Sequence, residues 1–254
     1  MNEISRREFT QALLGSMLTF SLVKGAHAAD ALSPAMRGAT RQWVVDMEEA
    51  TILMRNHRMT QVEWQEHVAS LLSRVDLKDL LAAIDYNVLA KRAIFPDDHE
   101  SADDIDFSKE KGLPAELSFN PYFYAMHKGV SIVPHGHRNM SSMHMLIKGE
   151  ARALHYERVA TEKDHLVIKP TSDKLMALGE PSTISDEHDN VHWFKALSEP
   201  VFMFSIAAFR IDPAKDFEGR ECIDPLAGEK QSDGTIRAPR IDLRQAYKLY
   251  GRPA

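Results

Sequence analysis

A short run with a histidine at every second position constrains this chain most: Gly129-Val-Ser-Ile-Val-Pro-His135-Gly-His137. In a strand, side chains at i and i+2 share a face, so His135 and His137 project together if the run is extended. The flanks favour that conformation. Val130, Ile132 and Val133 are β-branched, and Met145-Leu146-Ile147 resumes an apolar run that stops at Lys148-Gly149, with Gly149 twelve residues past His137. A third histidine, in Asn190-Val191-His192-Trp193-Phe194, lies 55 positions after His137. Strand, paired imidazoles, turn glycine and a distant third imidazole predict a metal held inside a β-barrel by His135, His137 and His192.

These residues resemble the first motif of the cupin superfamily: a glycine, five residues, His-x-His, then a glutamate and, seven residues on, a glycine. Gly129, His135, His137 and Gly149 match it, and Ser142 stands at the glutamate position. Thiol dioxygenases within that superfamily also lack the carboxylate and hold iron with three histidines. The closer resemblance is to the 2-aminoethanethiol dioxygenase and plant cysteine oxidase family, through Val133-Pro-His135-Gly-His137 with Met140 and through Asn190-Val-His192-Trp-Phe-Lys-Ala196, over roughly residues 115 to 210. It implies an all-β fold, a cupin double-stranded β-helix barrel. It also implies Fe(II) as cofactor, with dioxygen and a small-molecule thiol as substrates and a sulfinate as product. One departure concerns the substrate. That family places an aspartate on the strand after the third ligand, where this chain reads Phe202-Met-Phe-Ser-Ile206. A cupin metalloenzyme of another class and a non-enzymatic periplasmic binder of metal or small ligands are the alternative readings.

The N-terminus carries a second signal. Ser5-Arg6-Arg7-Glu8-Phe9 precedes an apolar run from Ala12 to Val23 and then Ala26-His27-Ala28, a small-x-small cleavage pattern. Residues 1–28 therefore read as a twin-arginine signal peptide, removed after Ala28 on export to the periplasm through the Tat translocase. Cleavage leaves no stable membrane anchor, because no other segment reaches the roughly 18 apolar residues that spanning needs. Losing Arg6, Arg7 and Lys24 together with Glu3 and Glu8 moves the net charge from −6 to about −7. An acidic surface argues against nucleic acid or anionic lipid as partner. Cys222 is the one cysteine, so no intramolecular disulfide forms, and the 226 residues left after cleavage are enough to bury a core without one.

Residues 29–95 read as an N-terminal helical addition. Trp43-Val44-Val45-Met47 and Ile52-Leu53-Met54 recur at helical spacing, Thr60-Gln-Val-Glu63 is a capping box, and Asp76 caps a helix through Leu77, Leu80, Leu81 and Ile84. Residues 96–115, acidic and broken by Pro96, Gly112 and Pro114, read as a linker or lid. The barrel is expected over 116–215 and a charged tail with a short helix near Leu243–Leu249 over 216–254. Among the other histidines, the odd offset from His137 puts His144 on the opposite face and outside the ligand set. His188, four residues before His192, is expected to lie just outside the ligands, and His155 and His127 to be ordinary strand residues. Met140, Met143 and Met145 read as core rather than copper ligands.

Overall fold

The computed structural model describes residues 42–107, 114 and 116–251; the signal-peptide reading of 1–28 lies outside them. The chain folds as an all-β barrel with a helical addition. Four helices come first: α1 (Gln42–Arg55), α2 (Gln61–Leu72), α3 (Leu77–Ala83) and α4 (Tyr86–Arg92). The sequence sets their starts. Thr60 accepts from the Glu63 amide at 3.1 Å while Glu63 accepts from the Thr60 amide at 2.8 Å, and Asp76 accepts from the Lys78 amide at 2.8 Å.

The barrel strands are β1 (Ser101–Asp104), β2 (Asn120–Met126), β3 (Ser131–Arg138), β4 (Met140–Lys148), β5 (Ala151–Thr161), β6 (His165–Leu175), β7 (Pro181–Ile184), β8 (Val191–Ala196), β9 (Val201–Phe209), β10 (Glu218–Cys222), β11 (Glu229–Lys230) and β12 (Ile236–Pro239). They form a five-stranded sheet, ordered β1-β2-β9-β4-β7, and a seven-stranded sheet, ordered β10-β3-β8-β5-β6-β12-β11. All pairings are antiparallel.

Alternation along the strands gives each sheet two environments. Met143, Met145 and Ile147 of β4 and Phe202, Phe204, Ile206 and Ala208 of β9 share one cluster with Trp43, Met47, Trp64, Val68 and Leu72 of α1 and α2. The intervening Leu146, Val201 and Met203 belong to a second cluster with Ile132, Ala153 and Phe194, contributed by the other sheet. Helices thus cover the outside of the five-stranded sheet, and the inner faces of both sheets meet in the barrel. Arg55, at the end of α1, fastens the two layers by donating to the Ser118, Phe209 and Arg210 carbonyls at 2.8–3.1 Å.

Two boundaries expected from sequence need correcting. The acidic segment 96–115 contributes β1, which pairs along its length with β2, and the tail after residue 215 contributes β10 to β12 and the helix α5 (Leu243–Tyr250). The three sheet edges formed this way, β1, β10 and β11, carry charged residues, as exposed edges tend to, and charge hides a strand from a hydrophobicity pattern. Asp242 caps α5 by accepting from the Gln245 amide at 2.8 Å. Among the described residues no helix is long and apolar enough to cross a membrane.

Candidate metal centre

The centre is built by register. Across the five-stranded sheet Tyr122 lies opposite Ser205, Ser205 opposite His144, and His144 opposite Ser182. Across the seven-stranded sheet His155 lies opposite His192, His192 opposite His135, and His135 opposite Cys222. A hydrogen bond of 2.9 Å between Ser182 Oγ and His155 Nε2 joins the two rows. One layer of the barrel is therefore a polar belt, while the neighbouring layer of Ile132, Leu146, Ala153, Phe194 and Met203 is apolar. Directly opposed residues share a face, so seven strands deliver these groups to one level, while Cys222, on the edge strand β10, packs with Trp193 and with Ala246 and Tyr250 of α5.

Within the belt His135 and His192 meet, and His137, two residues further along β3, joins them. The ring centroids are 4.6 Å (His135–His137), 4.3 Å (His135–His192) and 5.0 Å (His137–His192) apart, and one nitrogen from each ring lies within 4.8 Å of the others. A one-residue shift in β3 between Ile132 and His135 opens the strand there. His135 Nδ1–H donates to the Val133 carbonyl at 2.6 Å, and His137 Nδ1–H donates to the Gly219 carbonyl on β10. A carbonyl only accepts, so both rings carry their proton on Nδ1 and leave Nε2 bare. His192 Nδ1 is buried without a hydrogen-bond partner. Such an orphan costs on the order of 1–3 kcal/mol, so this ring calls for a non-protein partner.

All three rings are neutral. Burial, then the neighbouring imidazoles, hold His135 and His192 well below the usual imidazole value, and burial takes His137 down to about 3. Three convergent, deprotonated nitrogen donors with two outer nitrogens fixed by carbonyls fit a divalent transition metal.

The backbone of His137 is pinned from outside. Asn190 Nδ2 and Arg158 Nη2 donate to its carbonyl at 3.0 and 3.1 Å, and Arg158 Nε donates to Asn190 Oδ1 at 2.8 Å. A Cβ at Gly136 would come within 2.5 Å of Arg158 Nη2 and 2.8 Å of Asn190 Oδ1, so the residue between the two ligands has to be glycine. Arg158 also pairs with Glu221 at 2.6 Å, and Arg138 and Arg240 approach the same carboxylate at 3.1 and 2.8 Å.

Two histidines, His144 and His155, stand differently from expectation. His144 faces inward: its ring is 5.4 Å from that of His192, Nδ1 is 2.8 Å from Ser205 Oγ, and Nε2 is 3.4 Å from Ser142 Oγ. The odd offset from His137 does not reverse the side chain, because Asn139, with φ of 60°, turns the chain between β3 and β4 and restarts the alternation. His155 is a buried member of the belt, with Nδ1 3.2 Å from Asp189 Oδ2, rather than an ordinary strand residue. His188 is half exposed and its ring nitrogens face Glu157 and Asp189, not a ligand imidazole. Met143 and Met145 lie under the helices, away from the centre.

No family model matches the chain, and no curated protein matches it. Solved structures similar to it include an oxalate oxidase, 16% identical over 61% of this chain and 66% of that chain, with a TM-score of 0.35. A cupin superfamily protein from Desulfitobacterium hafniense is 9% identical over 48% of this chain and 87% of its own, with a TM-score of 0.32. An 11S globulin from Wrightia tinctoria is 14% identical over 52% of this chain and 29% of its own, with a TM-score of 0.35. These likenesses say nothing of chemistry; the chain itself shows two antiparallel sheets that form a barrel with inward histidines.

Proposed function

We propose that this chain is a metal-dependent dioxygenase, exported to the periplasm, that oxidises a small thiol to a sulfinate. One observation carries the reading: His135, His137 and His192 form a buried, neutral group without a carboxylate, and Ser142, at the glutamate position of the resembled motif, turns its hydroxyl to His144. Fe(II), held by the three imidazoles, would supply the redox chemistry that joins both atoms of dioxygen to sulfur.

The protein's own groups prepare that chemistry electrostatically. Neutral ligands leave a divalent charge uncompensated, which favours an anionic thiolate over a neutral thiol or a water. Burial strengthens the attraction by keeping solvent out. The carbonyls of Val133 and Gly219 fix the ring orientations of His135 and His137, and the Asn190–Arg158 pair fixes the strand that carries them. Belt hydrogen bonds from Ser205 and Ser182 hold His144 and His155 in place beside the ligands.

The twin-arginine pattern supports loading before export, since a folded protein that already holds iron is spared competition from copper and zinc outside. The test is thiol-dependent oxygen uptake by protein loaded with iron under anaerobic conditions, with the product mass measured. The expected result is a thiol that gains two oxygen atoms per dioxygen consumed. Oxygen uptake only with non-sulfur substrates would move the chain to another cupin enzyme class, and tight metal or ligand binding with no uptake would make it a binding protein.

A further inference from the structure

Helix α2 turns an apolar stripe to the five-stranded sheet, with Val68 and Leu72 fully buried, but the start of that stripe is polar. Gln61 and Gln65, one turn apart on the same face, are 8% and 3% exposed. Burying an amide is unfavourable unless its donors and acceptor are met, so the partners of these two side chains identify their role.

Gln65 grips the loop that leads into β8. Its Oε1 accepts from Ser185 Oγ at 2.6 Å, and its Nε2 donates to the His188 carbonyl at 3.3 Å. The Ser185 hydroxyl in turn accepts from the Glu187 and His188 amides at 3.1 and 3.0 Å, and the Ser185 carbonyl accepts from Asn190 Nδ2 at 3.1 Å. That same Asn190 group donates to the His137 carbonyl, and His192 follows two residues later. Gln61 reaches the end of the other ligand strand. Its Oε1 accepts from Ser141 Oγ at 3.0 Å and from the Asp186 amide at 2.9 Å, and its Nε2 donates to Asp186 Oδ2 at 3.2 Å. The Asp186 carboxylate accepts from the Asn139 amide at 2.7 Å, in the left-handed turn two residues after His137.

Two amides on one helix therefore hold both the turn that leaves His137 and the loop that enters β8 ahead of His192. Hydrogen bonds to backbone groups have a narrow geometry, whereas the apolar remainder of the helix face tolerates repacking. We propose that Gln61 and Gln65 are positioning residues for the metal centre: through them the helical addition sets the spacing of His137 and His192, and with it the coordination geometry of the ion. The inference rests on the metal-centre reading and is independent of thiol oxidation.

Co(II) alone is the probe, bound to the whole protein, with its visible ligand-field absorption and its rate of release to excess chelator as readouts. Gln61→Leu and Gln65→Leu should each shift the absorption and release the ion about tenfold faster, near the lower end of what partners of ligands contribute. Ser185→Ala cuts the Gln65 link from the loop side, and carries the same test where a glutamine variant does not fold. Combined with Gln65→Leu it should release the ion no faster than either change alone, because both break one link. Gln65→Glu keeps the acceptor for Ser185 and loses the donor to His188, so its rate should fall between. Val68→Ala loosens the same helix without touching either glutamine, and should lower the denaturant midpoint with spectrum and release rate unchanged. Folded glutamine variants with the unaltered spectrum and rate would reduce the helix to a cover and overturn the proposal. Equal acceleration by Val68→Ala, or additive effects of Gln65→Leu and Ser185→Ala, would also overturn it. If the unaltered protein binds no Co(II), the metal centre itself falls, and this proposal with it.

Discussion

Strands β4 and β9 have two faces that meet opposite demands. Outward, Met143, Met145, Phe204 and Ile206 meet Trp43, Trp64 and Val68 of the helices, and what matters there is apolar volume. Inward, Ser142, His144 and Ser205 are held by named partners at named distances. An apolar face spreads its energy over many contacts and tolerates repacking. A buried polar face concentrates it, because each group stranded without its partner carries its own desolvation cost. One residue apart along the chain, the same strands therefore carry a forgiving surface and an exacting one.

The sharpest way to break this contrast is to remove the ligands. His135→Ala, His137→Ala and His192→Ala should each abolish stoichiometric metal binding in equilibrium dialysis, whereas His144→Ala, on the same inner layer, should retain it. Equal metal content in all four would dissolve the distinction between ligand and wall. Next in size is the outer face. Trp64→Ala removes a fully buried ring and the 3.1 Å bond from its Nε1 to Thr51 Oγ1, and should cost about 3–5 kcal/mol in denaturant unfolding with metal per folded molecule unchanged.

Acid provides a third, smaller probe. Burial, with neighbouring imidazoles and Arg220, takes His144 down to about 3, against 6.5 for an ordinary imidazole. Between those values the unfolded chain binds a proton that the folded chain does not, so stability is complete above 6.5 and falls as the pH drops toward 3. The slope from this residue approaches about 1.4 kcal/mol per pH unit. Metal-free His144→Gln should show a shallower acid limb than the unaltered metal-free protein, and superimposable limbs would mean that His144 is not buried as described. The smallest effect is expected at His188. With its nitrogens turned to Glu157 and Asp189, His188→Ala should change metal affinity by far less than the roughly 10–100-fold typical of a residue bonded to a ligand, as measured by chelator competition.

What was legible in sequence was local. The Thr60–Glu63 box and the Asp76 cap act over three residues or fewer, and the His135–His137 pair needs only the two-residue period of a strand. The belt was not legible, because His144, His155, Ser182 and Ser205 reach one level through pairings between strands far apart in the chain, and any one-residue shift would have sent them elsewhere. His144 could have been placed by noticing that Asn139 interrupts the strand, since asparagine accepts a left-handed turn. The edge strands β1 and β10 escaped for a different reason: they are short and rich in charge, with Asp103, Asp104, Glu218, Arg220 and Glu221, so periodicity in apolar residues finds nothing to count. Gly219's service to His137 is a backbone contribution, and no side-chain motif records it.

All three imidazoles come from β3 and β8, which are already hydrogen-bonded neighbours in one sheet. An ion held between them acts as a cross-link that closes a loop of 54 residues, His137 to His192, and that loop contains β4 to β7, with Ser142, His144, His155 and Ser182. Loop-closure entropy grows only slowly with length, by about 0.6 kcal/mol per doubling, so a long circuit can be tied at modest further expense. In a chain whose single cysteine cannot form an internal disulfide, the centre would also serve as the staple of the barrel. Removing the ion would then first show itself as faster amide exchange within that circuit, while the amides of α1 and α2, which lie outside it, keep their protection.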